Sequence, residues 1–123
     1  MKKLLTLGII FLLFISTIVI STFVSEANAY GNIYIRANGS IDPPTAPIKR
    51  IGNVYILDDD IYGSIVVEKD NIIIDGADHM IRGTRRSDYG IYLSGRYNVT
   101  IKNLRIENFI FGIFLNYSSN NIV

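Results

Sequence analysis

A chain of 123 residues, 49% of them hydrophobic, has room for one domain at most. Its formal net charge of +1 implies no strongly charged partner surface, and nucleic acid, which needs a basic face that is not evident, is not an expected partner. The absence of cysteine excludes a disulfide framework and thiolate metal sites, so packing and hydrogen bonds must hold the fold.

The N-terminus reads as an export signal. Met1-Lys2-Lys3 is a short positive segment, residues 4–24 are nearly all apolar, and Ala27-Asn28-Ala29 is a small-x-small cleavage site. This order predicts a signal-peptide helix in residues 1–29, cleaved after Ala29 to leave Tyr30 first. The alternative is an uncleaved anchor, because an apolar run of roughly 20 residues can span a bilayer. Both readings keep the lysines inside and place residues 30–123 outside the cytoplasm, secreted or on the cell surface. The membrane is then touched only through the N-terminal segment.

Residues 30–60 read as a cap. Asn32-Ile33-Tyr34-Ile35-Arg36 suits a strand, as do residues 53–57. Residues 39–47 carry Pro43, Pro44 and Pro47, which exclude regular structure. A solenoid exposes apolar core at its terminal turn and needs such a cover.

Residues 61–123 read as repeats. Asn71, Asn98 and Asn121 each precede a short apolar strand, with spacings of 27 and 23. Gly63, Gly90 and Gly112 head an interleaved series, with spacings of 27 and 22. One insertion, placed in the turn-like segment Gly83-Thr84-Arg85-Arg86-Ser87-Asp88, accounts for the longer first step. In the middle repeat the strands are residues 91–93, 99–101 and 104–106. Ile91, Leu93, Val99, Ile101, Leu104 and Ile106 face in; Tyr92, Thr100 and Arg105 face out. A meander needs a chain reversal after every strand. Three strands recurring in one order every ~22 residues suit a coil of parallel strands instead. Asn71, Asn98 and Asn121 are expected to stack as an amide ladder, the simpler alternative being plain turn residues. Gly76 and Asn103 are expected at an equivalent corner, since both tolerate left-handed backbone. The expected fold is all-β: a right-handed parallel β-helix of about two to three coils with an N-terminal cap.

The run Tyr34-Ile35-Arg36-Ala37, Ile41-Asp42-Pro43-Pro44, Ile61-Tyr62-Gly63-Ser64-Ile65-Val66-Val67 and Asn71-Ile72-Ile73-Ile74-Asp75-Gly76 resembles archaeal exported proteins with NosD-like, pectin-lyase-like β-helix repeats. Gly90-Ile91-Tyr92-Leu93, Asn98-Val99-Thr100-Ile101-Lys102-Asn103 and Tyr117-Ser118-Ser119-Asn120-Asn121 resemble the same repeat. The resemblance covers nearly all of residues 32–123 and implies the fold. It leaves function open, because such helices host lyases, hydrolases, adhesins and copper-associated proteins. Family members are longer, whereas this chain stops at Val123 inside a strand. A fragment of a longer solenoid is therefore expected. The alternatives are self-association through the open C-terminal coil, or a partner that caps it.

Several residue sets bear chemistry. Asp58-Asp59-Asp60 is the densest carboxylate cluster, able to hold Ca²⁺ or act as acid and base, though a solvated turn is the simpler reading. Asp75 and Arg82, near Asp78 and His79, have the residue types of a polysaccharide lyase without a diagnostic spacing. No metal site is assigned and no cofactor is expected, Ca²⁺ being the alternative. His79 and Met80 alone are too few for copper. Tyr89 and Phe111 are 22 apart, as are Tyr92 and Phe114, which would stack them on adjacent coils. Such rings suit a sugar-binding platform; stabilisation of the sheet is the simpler account. Asn38, Asn98 and Asn116 lie in glycosylation sequons, Asn98 being the least free for modification.

Three function classes follow. The leading one is a non-catalytic surface module binding a polysaccharide or a cell-surface protein. The second is a lyase or hydrolase using Asp58, Asp59, Asp60, Asp75 and Arg82. The third is a solenoid piece without independent activity.

Overall fold

The computed structural model describes residues 29–84 and 88–123. Residues 1–28, which hold Ala27 and all of the signal segment but Ala29, lie outside the described residues, as do Arg85, Arg86 and Ser87. Within them the fold is all-β, with eleven strands and no helix. The strands are β1 (Ala29–Ile35), β2 (Ile41–Asp42), β3 (Ile48–Ile51), β4 (Val54–Leu57), β5 (Tyr62–Val67), β6 (Ile72–Asp75), β7 (Met80–Arg82), β8 (Tyr89–Ser94), β9 (Val99–Lys102), β10 (Arg105–Glu107) and β11 (Phe111–Asn116).

They form three sheets, ordered β11-β8-β5-β1-β2, β3-β4-β6-β9 and β10-β7. Every pairing is parallel except those of β2 with β1 and β3 with β4. Both antiparallel strands fall in residues 30–60, and β2 lies within the proline-bearing residues 39–47 expected to lack regular structure, ending just before Pro43. β1 and β4 of the same region pair in parallel with β5 and β6 and so share their sheets. The chain visits the sheets in rotation: β5, β6 and β7 lie in the first, second and third, and β8, β9 and β10 repeat that order.

Alternation explains the core. On the first sheet Ile33, Ile65, Ile91 and Ile113 align in one column, and Ile35, Val67, Leu93 and Leu115 in the next. On the second, Tyr55, Ile74 and Ile101 align; on the third, Ile61, Ile81 and Ile106. Ile33, Ile65, Ile91, Ile74 and Ile81 are fully buried. Each such side chain contributes roughly 1.5–3 kcal/mol of burial. Tyr55 is buried among them, and its hydroxyl donates to the Gly39 carbonyl at 2.7 Å. That bond ties the proline-rich loop to the core and satisfies the one polar atom of the ring. Burial also pushes the Tyr55 phenol pKa up. Columns end abruptly at β11, where inward-facing Leu115 is 45% exposed.

The registers correct two expectations. Ile65 pairs with Ile91, a step of 26, so Gly63 does not match Gly90. A match of those glycines would set buried Ile65 against outward-facing Tyr92, because a one-residue slip swaps the faces of a strand. The extra length is also not one insertion. Ile65 to Ile91 exceeds Ile91 to Ile113 by four residues. Two of these lie between the second and third sheets (Ile73 to Ile81 against Thr100 to Ile106), and three between the third and first (Ile81 to Ile91 against Ile106 to Ile113). One fewer lies between the first and second.

The turn into the second sheet is built from left-handed residues. Gly52, Asn71, Asn98 and Asn120 occupy matching positions, with φ of 59°, 57°, 54° and 55°. Asparagine and glycine carry this conformation at the lowest cost. Asn98 Nδ2 donates to Asn71 Oδ1 at 3.0 Å. Asn121 sits one residue beyond that column. Its Oδ1 instead accepts from the Val99 N–H at 2.8 Å, and its Nδ2 donates to the Arg96 carbonyl at 3.4 Å.

At the next corner the left-handed residues are Ala77, Asp78 and Asn103, and Gly76 is not among them. Gly76 is needed for close approach: a Cβ there would lie 2.3 Å from the Asn103 carbonyl oxygen and 2.8 Å from Leu104 Cα. Gly76→Ala should therefore cost about 1–3 kcal/mol by forcing two backbones apart. Gly31→Ala, where a Cβ meets nothing within 4 Å, should change stability by about 0.5 kcal/mol or less. Urea unfolding of both variants checks the difference.

Candidate functional site: an aromatic face and groove on the first sheet

The outward positions of the first sheet also form columns. Tyr34 of β1, Val66 of β5, Tyr92 of β8 and Phe114 of β11 stand side by side. Tyr89 and Phe111 pair three residues earlier on β8 and β11. The Tyr92 and Phe114 rings stack, with centroids 5.8 Å apart and planes 4° from parallel. Tyr89 and Phe111 stack at 5.7 Å and 21°. Tyr89 also meets Phe114 at 4.7 Å and Tyr92 at 5.3 Å, so the four rings make one cluster. Parallel in-register strands force this arrangement, because equivalent side chains repeat at the ~4.8 Å strand spacing.

Beside the cluster lies an open groove of about 560 Å³. Tyr34, Val66, Tyr89 and Tyr92 line it, with Asn32, Ser64 and Asp88 as its polar groups. Ser64 Oγ donates to the Tyr89 carbonyl at 2.7 Å, which leaves its lone pairs for a ligand. Arg36 lies over the Tyr34 ring, 4.0 Å from its centroid. Its guanidinium is held by Asp42 and by Glu68, the latter at 3.0 Å, and this braces the tyrosine.

The carboxylates named from sequence lie elsewhere, and those of Asp59, Asp60 and Asp75 are engaged. Asp58 and Asp59 are exposed. Asp59 Oδ1 accepts from the Asp60 N–H at 2.8 Å. Asp60 Oδ1 accepts from the Met80 N–H at 2.8 Å and lies 3.5 Å from His79 Nδ1. Asp75 Oδ1 accepts from the Ala77 N–H at 3.0 Å and from Asn103 Nδ2 at 3.1 Å. Those bonds, with Lys102 nearby, hold the Asp75 carboxyl below its ordinary range. Arg82 pairs with Glu107 at 2.8 Å. None of Asp58, Asp59, Asp60, Asp75 and Arg82 lines the groove.

Among the described residues no three His, Cys, Asp or Glu side chains group as a metal site. Of the two residues considered for copper, Met80 is buried in the core and His79 faces the Asp60 carboxylate. Among the sequon residues, Asn38 is exposed, with its Oδ1 accepting from the Ser40 N–H at 2.9 Å and the Ser40 hydroxyl at 2.7 Å. Asn98 is engaged with Asn71, and Asn116 ends β11.

Sequence reasoning named Tyr89, Tyr92, Phe111 and Phe114 and missed Asn32, Tyr34, Ser64, Val66 and Asp88. β1 and β5 pair at a step of 32 residues, unlike any other repeat spacing, so periodicity could not align Tyr34 with Val66. Comparison with protein-family models, curated proteins and solved structures returned no match.

Asp75 generates a pH prediction. Its folded pKa is depressed, so its contribution to stability is full above the ordinary value of 3.8 and is lost as pH falls through the folded value. Unfolding of the wild type and Asp75→Asn across pH 2–6 should show the wild type's advantage shrinking toward the acid end. An advantage independent of pH would remove the carboxylate from acid sensitivity.

Proposed function

We propose that residues 30–123 form a right-handed parallel β-helix, exported to the cell surface, that binds carbohydrate along its first sheet. The fold reading draws on three sheets visited in rotation by parallel strands, and on the resemblance to NosD-like repeats. Right-handedness rests on the strong preference of parallel crossover connections for that hand.

One observation carries the binding reading: four aromatic rings cluster on the solvent face of a sheet beside a groove with polar walls. Ring faces suit the C–H faces of a pyranose, while Asn32, Ser64 and Asp88 offer partners for hydroxyls. A rigid parallel sheet holds these groups without a cost in ordering on binding.

The test is titration of the full-length chain with a panel of plant, microbial and cell-wall glycans. Tyr92→Ala should weaken binding about tenfold, which is ~1.4 kcal/mol. If it leaves affinity untouched and lowers stability by about 0.5–1.5 kcal/mol, the rings serve the sheet and not a ligand.

A further inference from the structure

The aromatic column has a missing rung. Its members are Tyr34, Val66, Tyr92 and Phe114 on adjacent parallel strands, and only Val66 lacks a ring. The groove opens at that position, with Tyr34 and Tyr92 among its walls. Resting on the carbohydrate reading above, we infer that the groove takes one uncharged pyranose ring inserted between Tyr34 and Tyr92 in place of the absent aromatic.

Spacing supports this. Tyr34 and Tyr92 stand two strands apart, about 10 Å at the usual strand separation. Tyr92 and Phe114, one strand apart, stack at 5.8 Å. A single ring at the middle strand therefore meets a tyrosine on each side at about the distance this column already uses. Val66 supplies a short apolar floor. Tyr34 is braced by Arg36, and Tyr92 by its own stack with Phe114, so both walls are pre-set.

Charge selects the ligand class. Among the described residues, Asp88 is the only charged side chain lining the groove. The Arg36 guanidinium, which braces Tyr34, is held by Asp42 and Glu68 and does not line it. A uronate or sulfated sugar would place an anion beside the Asp88 carboxylate, with no cation among the described lining residues to meet it. An uncharged sugar gives Asp88 hydroxyl donors instead.

The test measures binding of cellohexaose, xylohexaose and mannohexaose, as neutral probes, and of hexagalacturonate to the full-length chain and its variants. Val66 is half-buried on the outward face, so a ring there should leave the core intact. Val66→Phe should fill the rung, hold or raise the melting temperature, and weaken the best neutral probe more than tenfold. Val66→Thr, which keeps the slot, should bind within threefold of wild type. Asp88→Lys should move preference toward hexagalacturonate, and this variant serves if Val66→Phe fails to fold. Wild-type affinity in Val66→Phe, with Tyr92→Ala still weakened, would overturn the slot and leave the aromatic-face reading standing. A wild type that prefers hexagalacturonate, or an Asp88→Lys variant with unchanged preference, would overturn the choice of an uncharged ligand. Failure of every probe to bind wild type would overturn both readings.

Discussion

Parallel backbone pairing between segments of matched alternation is the constraint on which this molecule depends. Each strand of a parallel pair must hydrogen-bond to one 19–33 residues away while keeping every second side chain inside. A slip of one residue would bring Tyr92 to the core and Ile91 to water, so register is enforced by burial. The columns Ile33–Ile65–Ile91 and Tyr55–Ile74–Ile101 follow from that rule. They also explain how a chain without disulfides gathers a continuous apolar interior from strands of two to seven residues.

The corners make the rule compatible with a chain that keeps changing direction. Gly52, Asn71, Asn98 and Asn120 bend the backbone in the left-handed region at the same place in each circuit. Side chains there tie one strand's turn to the next, as when Asn98 donates to the Asn71 side chain and Asn121 accepts from the Val99 N–H. Asp75 does the same for Ala77 and Asn103. Residues that look reactive as a list of types are in this way occupied by the turns they stabilise. Arg82, paired across the third sheet with Glu107, follows the same pattern.

The register that buries the isoleucines also lines up what faces water. Rings on β8 and β11 stack because their strands do, and the column breaks at Val66 because that strand carries a smaller residue there. The groove is thus a by-product of sheet regularity interrupted once. Its neighbours Asn32, Ser64 and Asp88 come from three separate stretches of chain. The proposed binding face is accordingly a property of the sheet and not of any one segment.

The alternation of Ile91, Tyr92 and Leu93 and of Val99, Thr100 and Ile101 was legible from the residues alone, because a two-residue period is a local property of a strand. So were the all-β class, the stacking of Tyr89 on Phe111 and of Tyr92 on Phe114, and the pairing of Asn71 with Asn98. Tertiary structure alone decided the exact offsets, since corner residues can be added without changing which face a strand buries. It placed Asn120, not Asn121, in the left-handed column, and drew Gly76 against Asn103 through close approach instead of backbone twist. It also joined Tyr34 to Val66 across 32 residues, a contact that local periodicity does not encode because the stretch holding β2 and β3 has no counterpart in the later circuits.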